Sequence, residues 1–214
     1  MNMKSKVVVV GAGIMGSGIA HAFAISGYPT VLVDNNAAQL AKANASIDQI
    51  LSDGLRLGKI TDSSATSART SLSSTSDIAE AAAGARLVIE TVSESLEIKK
   101  SVFAAAEAAV APGAILASNT SALSVTEMAI ATKTPDRFIG MHFFNPVHKM
   151  KLIELVRGLP TSDETVSEAR AYADALGKTS IVVNESPGLT TSRMSAMQRS
   201  DVHASRRDRD RRRH

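Results

Sequence analysis

The sequence predicts an α/β protein built on a Rossmann-type, doubly wound and mostly parallel sheet. Short apolar runs alternate along the chain with longer segments of helical periodicity, a pattern typical of repeated βαβ units. The first such unit, residues 6–34, carries a glycine-rich turn between its strand and its helix. The composition, 44% apolar and 21% charged over 214 residues, is sufficient for a well-buried core.

The predicted elements follow from these runs in chain order. Strands are predicted at residues 6–10, 30–34, 86–91, 114–118, 138–143, 152–156 and 179–183. Helices are predicted at residues 17–26, 35–52, 77–83, 95–110, 124–132 and 163–176, where apolar residues recur every three or four positions. Asp77, and either Ser162 or Asp163, are the expected N-caps. Residues 53–76 are polar and rich in serine and threonine, and we interpret them as an excursion from the core.

The charge of the chain is unevenly distributed. Residues 199–214 hold seven arginines and three aspartates, so the overall net charge of +3 leaves −1 for residues 1–198. A near-neutral body lacks the basic surface that binds nucleic acid, and no apolar run approaches the roughly 20 residues that span a bilayer. There is no cysteine, and no metal site is predicted. Because no signal-peptide pattern precedes the first strand, we expect a cytoplasmic protein.

Residues 11–16 read Gly-Ala-Gly-Ile-Met-Gly and match the pattern G-x-G-x-x-G. A strand precedes the pattern, a helix follows it, and Asp34 ends the next strand about 20 residues on, as in dinucleotide-binding units. We expect Gly11 to form the tight turn, Gly13 to admit a pyrophosphate at the helix N-terminus, and Gly16 to allow close helix packing. Asp34 would bind the adenosine ribose and repel a 2′-phosphate, which predicts NAD. The alternative is a structural turn without a ligand.

Three polar clusters lie at the ends of apolar runs, where open α/β sheets bind ligands. They are residues 118–121 (Ser-Asn-Thr-Ser), His142 with Asn145, and Glu154. A neutral histidine can take a hydroxyl proton near neutral pH, and a carboxylate on its other ring nitrogen would fix the tautomer. Taken alone, an isolated histidine in an apolar run favours the interpretation of His142 as a hydrogen-bonded core histidine, and Glu154 is compatible with an exposed strand residue.

Four sequence blocks together resemble the (S)-3-hydroxyacyl-CoA dehydrogenase family, which includes 3-hydroxybutyryl-CoA dehydrogenases. The blocks are residues 10–20, Ser-Asn-Thr-Ser at 118–121, His-Phe-Phe-Asn-Pro at 142–146 and Met-Lys-Leu-Ile-Glu at 150–154. The resemblance extends from about residue 6 to residue 193. It implies reversible hydride transfer between NAD and C3 of an (S)-3-hydroxyacyl-CoA, giving a 3-oxoacyl-CoA, in fatty-acid β-oxidation or in short-chain acid or polymer metabolism. A non-CoA 3-hydroxy acid is a weaker alternative.

The resemblance also implies roles for individual positions. His142 matches the general base, Glu154 the carboxylate that orients it, Ser121 the serine that hydrogen-bonds the substrate oxygen, and Asn119 a residue near the nicotinamide and the acyl group. The cofactor-binding positions implied are Gly11, Gly13, Ile14, Met15, Gly16, Asp34, Glu94, Lys99, Asn119 and Asn145. Residues 45–59 match a helical hairpin that leans over the CoA moiety. For Glu94 and Lys99 a solvated helix face is the alternative.

The chain departs from the family pattern near its C-terminal end. Family members continue with an all-α domain that completes the acyl pocket and forms the dimer, and we expect this domain to be missing here. The expected organisation is an NAD-binding domain at residues 1–186, the start of a linker at 187–198, and a disordered basic tail at 199–214, derived from a frameshift or a misannotated end. Ser192 stands where many members have a substrate-contacting asparagine. The functional alternative is a catalytically impaired NAD-binding fragment, and the alternative for the tail is a nucleic-acid-binding segment.

Overall fold

The computed structural model describes residues 4–185, which form one eight-stranded sheet with seven α-helices. The strands are β1 (Val7–Val10), β2 (Thr30–Val33), β3 (Leu72–Thr75), β4 (Leu87–Glu90), β5 (Ile115–Ser118), β6 (Phe138–Phe143), β7 (Leu152–Arg157) and β8 (Thr179–Asn184). The helices are α1 (Ile14–Ile25), α2 (Ala37–Arg56), α3 (Asp62–Ser71), α4 (Ile78–Ala82), α5 (Leu96–Glu107), α6 (Val125–Ala129) and α7 (Asp163–Ala175). A 3-10 turn, Pro135–Arg137, precedes β6.

The strand order is β3-β2-β1-β4-β5-β6-β7-β8. Because β1 pairs with both β2 and β4 in parallel, the chain winds outward from the centre in two directions. This arrangement opens a ligand crevice at the carboxyl ends of the central strands. Strand β7 is antiparallel to β6, and β8 is parallel to β7, so the last two strands run against the others. The prediction of a doubly wound, mostly parallel α/β sheet is confirmed.

Alternate residues of the central strands enter two apolar cores, one on each face of the sheet. On one face Val7 and Val9 pack with α1, α2, α3 and α7 around Phe23. On the other face Val8 and Val10 pack with α4, α5 and α6 around Phe103. Since β1 is buried on both faces, it appears in the sequence as an uninterrupted apolar run.

The polar stretch at residues 53–76 is more ordered than the sequence predicts. Helix α2 continues to Arg56, and the stretch then supplies α3 and the edge strand β3. Helix α3 buries Ala65 and Ala68, and two alanines make too small an apolar stripe for periodicity to reveal.

Helix α3 begins at a capping box made of hydroxyl groups. The Ser64 N–H donates to the Thr61 hydroxyl at 3.2 Å, and the Ser64 hydroxyl accepts from the Thr61 N–H at 3.0 Å. The two residues thus satisfy each other's free backbone donors at the helix start. In most capping boxes the residue at the third helical position is a glutamate or glutamine, where this chain has Ser64.

The predictions for the C-terminal segment lie outside the described residues. These are the linker at 187–198, the basic tail at 199–214 and the position of Ser192. Within residues 4–185, no helix is long and apolar enough to cross a membrane.

Candidate active site

The glycine-rich turn between β1 and α1 has room for a ligand at one position and for none at the two others. Gly11 has a φ of +102°, which favours glycine, and a Cβ there would lie 2.9 Å from Thr91. A Cβ on Gly16 would lie 1.7 Å from the Gly11 carbonyl oxygen, whereas a Cβ on Gly13 would meet no protein atom within 4 Å. Helix α1 also begins at Gly13 without a side-chain cap. The space beside Gly13 and the free N–H groups of α1 therefore fit an anionic group such as a pyrophosphate.

Asp34 lies at the end of β2 beside this turn. Its carboxylate accepts hydrogen bonds from the backbone N–H of Ala12 at 2.8 Å and of Asn36 at 2.9 Å, which fix its orientation. With Gly11 and Gly13 it lines a cavity of about 570 Å³. None of the described residues that line this cavity is lysine or arginine. The cavity thus suits the ribose of NAD, and a 2′-phosphate would find a carboxylate there instead of a cation.

A second cavity, of about 320 Å³, lies between α1, α2 and the loop at residues 145–148. Gly13 and Gln39 line both cavities, so the two meet at the glycine-rich turn. Of the two residues between the last glycines, Ile14 is exposed and lines the second cavity, whereas Met15 packs against the core around Phe23. Asn145 also lines the second cavity.

His142 and Glu154 meet because β6 and β7 are antiparallel. The two residues are directly opposite in the strand register, so their side chains leave the same face of the sheet side by side. His142 Nδ1 lies 2.8 Å from Glu154 Oε2, and the Glu154 carboxylate is fully buried. The interpretation of Glu154 as an exposed strand residue is therefore wrong. A carboxylate at Nδ1 favours the tautomer that leaves Nε2 as the basic nitrogen.

Asn119 and Ser121 lie on the loop that follows β5. The Asn119 side-chain oxygen accepts from the Phe143 N–H at 2.9 Å, which ties this loop to the residue after His142. Ser121 is exposed, and its N–H donates to Glu94 at 3.3 Å. Within residues 4–185 the structure brings Asn119 to the neighbour of His142, while Ser121 contacts Glu94 and has no hydrogen bond to His142.

Glu94 and Lys99 belong to a charged cluster whose third member, Glu90, was not predicted from the sequence. Lys99 Nζ lies 2.8 Å from the Glu90 carboxylate and 3.1 Å from that of Glu94, and the side chains of Lys99 and Glu90 are 1% and 0% exposed. The solvated-face interpretation is therefore wrong for Lys99. Glu90 also accepts from the Ser118 hydroxyl at 2.7 Å. A signal for Glu90 existed, because it ends an apolar strand as Asp34 does.

The two carboxyl groups of this cluster have opposite pKa shifts. Burial raises the pKa of Glu90, and the hydrogen bond and charge of Lys99 offset only part of that rise. Burial also acts to raise the pKa of Glu94, but the hydrogen bonds from Thr120 and Lys99 outweigh it and hold that pKa below its usual value. Glu94 is the half-exposed member of the pair, so it is the carboxylate that a ligand can reach.

Comparison with known proteins points to one family. Residues 6–186 match the model of the 3-hydroxyacyl-CoA dehydrogenase NAD-binding domain. The chain is 44% identical over 186 residues to the fatty acid oxidation complex subunit alpha of Idiomarina loihiensis, covering 87% of this chain and 26% of that protein.

Two solved structures extend the comparison to the fold. The (S)-3-hydroxybutyryl-CoA dehydrogenase of Ralstonia eutropha has a TM-score of 0.83 and 39% identity, covering 87% of this chain and 66% of that chain. The 3-hydroxybutyryl-CoA dehydrogenase of Escherichia coli has a TM-score of 0.83 and 38% identity, covering 88% of this chain and 39% of that chain. The chain therefore spans from about a quarter to about two thirds of the length of these three relatives.

Proposed function

The chain belongs to the 3-hydroxyacyl-CoA dehydrogenase family, whose NAD-binding domain it contains, and from this premise we propose that it transfers a hydride between NAD and C3 of an (S)-3-hydroxyacyl-CoA. The observation that carries the proposal is the buried Glu154 carboxylate 2.8 Å from Nδ1 of His142. Because β1 and β6 run in the same direction, this pair and the glycine-rich turn lie at the same edge of the sheet.

The residues around the glycine-rich turn fit NAD. Gly13 offers the open space for the pyrophosphate, α1 offers its free N–H groups, and Asp34 is oriented for the ribose hydroxyls. Glu94 is the proposed contact towards the nicotinamide, and Lys99, whose side chain is only 1% exposed, orients it through their ion pair at 3.1 Å. When bound, NAD supplies the hydride acceptor.

His142 is the proposed general base for the 3-hydroxyl proton. Because its Nδ1 faces Glu154, the proton is taken at Nε2. The buried Glu154 carboxylate then stabilises the imidazolium that forms, an interaction stronger in the protein interior than in water. We assign Ser121 to the substrate oxygen and Asn119 to the nicotinamide and the acyl group, the roles that the family resemblance implies.

The second cavity supports acyl-CoA as the substrate class. His148 lines it, and its pKa is lowered first by burial and then by the charges of Lys149 and Lys59. Lys42 lies on the opposite wall, on α2. Lys42 lines the cavity, whereas Lys59 and Lys149 act on His148 without lining it. Cations in and beside the cavity suit the phosphates of CoA, and residues 45–59 would lie over the CoA moiety.

The proposal is tested by measuring NADH oxidation with acetoacetyl-CoA together with an NADH-binding titration of the same sample. We expect turnover, and we expect His142→Asn to lower kcat by about 10² to 10⁴ with little change in NADH affinity, since His142 lies outside the turn that holds the cofactor. Binding of NADH without any turnover in the wild-type chain would instead support the catalytically impaired fragment.

The acyl-CoA assignment has its own test. Replacing Lys59 and Lys149 by alanine should raise KM for acetoacetyl-CoA about tenfold, with a much smaller effect on acetoacetyl-pantetheine, which lacks the nucleotide phosphates. Lys133→Ala is the control, because Lys133 is an exposed lysine that lines neither cavity and is not among the charges that act on His148. Equal changes in KM for the two substrates would contradict recognition of the phosphates by these lysines.

The proposal leaves three features of the protein as predictions. A place in fatty-acid β-oxidation is supported by the similarity to a fatty acid oxidation complex subunit. The cytoplasmic location stays a prediction from the sequence, as does dimerisation, which the resemblance implies only for family members through their all-α domain.

A further inference from the structure

We infer that Glu90 is a positioning residue of the proposed site, where its buried carboxylate holds the loop at residues 118–123 against Lys99. The inference rests on the proposed function, because this loop carries the residues assigned to the substrate. Glu90 has no part in the reaction as proposed above, and it acts through the groups that it orients.

Glu90 lies at the carboxyl edge of the central sheet, where the crevice opens, and its side chain is fully buried. It is the last residue of β4 and pairs in register with Val10, which precedes the glycine-rich turn, and with Ser118, where the loop at residues 118–123 begins. A fully buried carboxylate is costly to desolvate and persists where several donors surround it. At this place those donors come from both sides of the site.

One carboxylate oxygen of Glu90 faces the cofactor side. Its Oε1 accepts from the Val92 N–H at 2.6 Å and from Lys99 Nζ at 2.8 Å. Lys99 in turn lies 3.1 Å from the Glu94 carboxylate, whose other oxygen accepts from the Thr120 hydroxyl. The position of Glu94 thus depends on Glu90 through Lys99.

The other oxygen of Glu90 faces the substrate side. Its Oε2 accepts from the Ser118 hydroxyl, which accepts from the Thr120 N–H at 3.3 Å. The main-chain carbonyl of Glu90 also accepts from the Asn119 N–H at 2.9 Å.

These contacts close into a ring that runs from Glu90 through Lys99, Glu94, Thr120 and Ser118 back to Glu90. Connected polar groups of this kind reinforce one another in a low-dielectric interior. The ring therefore fixes the loop that carries Asn119 and Ser121 relative to Glu94, and Glu90 is the member that bonds to both sides.

The inference is tested by separating the reach of the Glu90 side chain from its charge. Glu90→Gln keeps the length and can still accept from Lys99 and donate to Ser118, whereas Glu90→Asp keeps the charge but is one methylene shorter. Amide hydrogen exchange on the 214-residue chain without substrate should show residues 119–123 about tenfold less protected in Glu90→Asp and within about threefold of wild type in Glu90→Gln. Ser118→Ala, which breaks the ring without changing a charge, should resemble Glu90→Asp.

The control is Glu168→Asp. Glu168 forms an ion pair at 2.6 Å with buried Arg137, next to the start of β6 and so at the opposite end of the sheet. This variant should lower protection uniformly, in proportion to any loss of global stability, without a local effect at residues 119–123. Exchange in Glu90→Asp that follows the control pattern would overturn the inference and leave Glu90 a structural residue only.

Turnover separates this inference from the proposed function. If the wild-type chain oxidises NADH, Glu90→Asp should lower kcat about tenfold or more, since a misplacement of about 1 Å is costly, while KM changes less. An unchanged kcat would overturn the inference but leave the proposed function intact. If the wild-type chain shows no turnover, the proposed function fails, and hydrogen exchange still decides the role of Glu90.

Discussion

His21 is a buried histidine that the proposed chemistry does not use. His21 lies on α1 and is 7% exposed, and its Nδ1 has no hydrogen-bond partner among the residues that the structure describes. Its ring meets that of His148 edge-on, with centroids 6.3 Å apart. Burial, followed by the charges of His148 and Lys178, lowers the pKa of His21 from 6.5 to about 4. The folded protein therefore holds this imidazole neutral.

This pKa shift predicts a loss of stability in mild acid. Below pH 6.5 the unfolded chain takes up a proton at His21, whereas the folded chain does so only near pH 4. The folded state is therefore fully stable above pH 6.5 and loses stability as the pH falls from 6.5 towards about 4. Between pH 7 and pH 5 the loss from this residue is about 2 kcal/mol. In urea unfolding, the free energy of unfolding lost between pH 7 and pH 5 should be smaller in His21→Gln than in the wild type by about that amount. An identical loss in the variant and the wild type would contradict the shift.

Single residues differ in how far the sequence can predict them. His142 was visible because it lies near the end of an apolar run, and Glu154 because it is the charged residue inside one. Their contact depends on the β6–β7 register, which is a non-local property. Lys99 was harder, since only the packing of α5 against β4 shows that this lysine is buried. Glu90 was missed for the same reason, because its main partner lies on that helix.

Among the elements, the β1–α1 turn combines a structural constraint with a proposed binding surface. Different glycines serve the two: Gly16 meets the constraint, and Gly13 leaves the space for a ligand. The backbone of Gly13 has φ −72° and ψ −170°, values open to any residue, and a Cβ there would meet only empty space. Gly16 contacts the Gly11 carbonyl so closely that any side chain would push helix and turn apart.

We therefore predict opposite phenotypes for two glycine-to-alanine substitutions. The unfolding free energy of Gly13→Ala should lie within about 0.5 kcal/mol of the wild-type value. This variant should bind NADH at least about tenfold more weakly, because its methyl group fills the space beside the uncapped helix end. Gly16→Ala should lose about 1–3 kcal/mol of stability or more through steric overlap. Urea unfolding and an NADH titration on both variants provide the check. Equal NADH affinity in Gly13→Ala and wild type would show that the pyrophosphate lies elsewhere.

Periodicity revealed the elements that bury an apolar face and missed those that do not. Each predicted strand overlaps an observed one, and the expected caps at Asp77 and Ser162 are present. Strand β3 escaped prediction because it reads Leu-Ser-Ser-Thr and is held at the sheet edge by its backbone pairing with β2. The reversed direction of β7 was also not predicted, since strand direction depends on the connection and not on the strand's own residues.

At the scale of the whole molecule, the binding site and the core share the same strands. β1 supplies apolar side chains to both cores and ends at the glycine-rich turn, while β4 and β6 end at Glu90 and next to His142. The proposed cofactor site therefore exists only when the central sheet is formed. A ligand that binds this site stabilises the whole described domain against unfolding, because the unfolded chain offers no equivalent site.

This linkage predicts a difference between the two nicotinamide cofactors. NADH at 100 times its Kd should raise the unfolding free energy by about 2.7 kcal/mol, a melting-temperature rise of roughly 5–10 °C for a domain of this size. NADPH at the same concentration should give a much smaller rise, because its 2′-phosphate would meet the Asp34 carboxylate in a cavity whose described lining has no lysine or arginine.

Thermal unfolding of the wild type and of Asp34→Ala with each cofactor distinguishes the causes of that difference. Removing the carboxylate takes away both the ribose acceptor and the repulsion, so the rise with NADH should shrink while that with NADPH stays small or grows. Equal rises for the two cofactors in the wild type would contradict the role of Asp34. The absence of a rise with either cofactor would contradict the assignment of this cavity to a dinucleotide, because a site formed only by the folded sheet must transmit its binding energy to the fold.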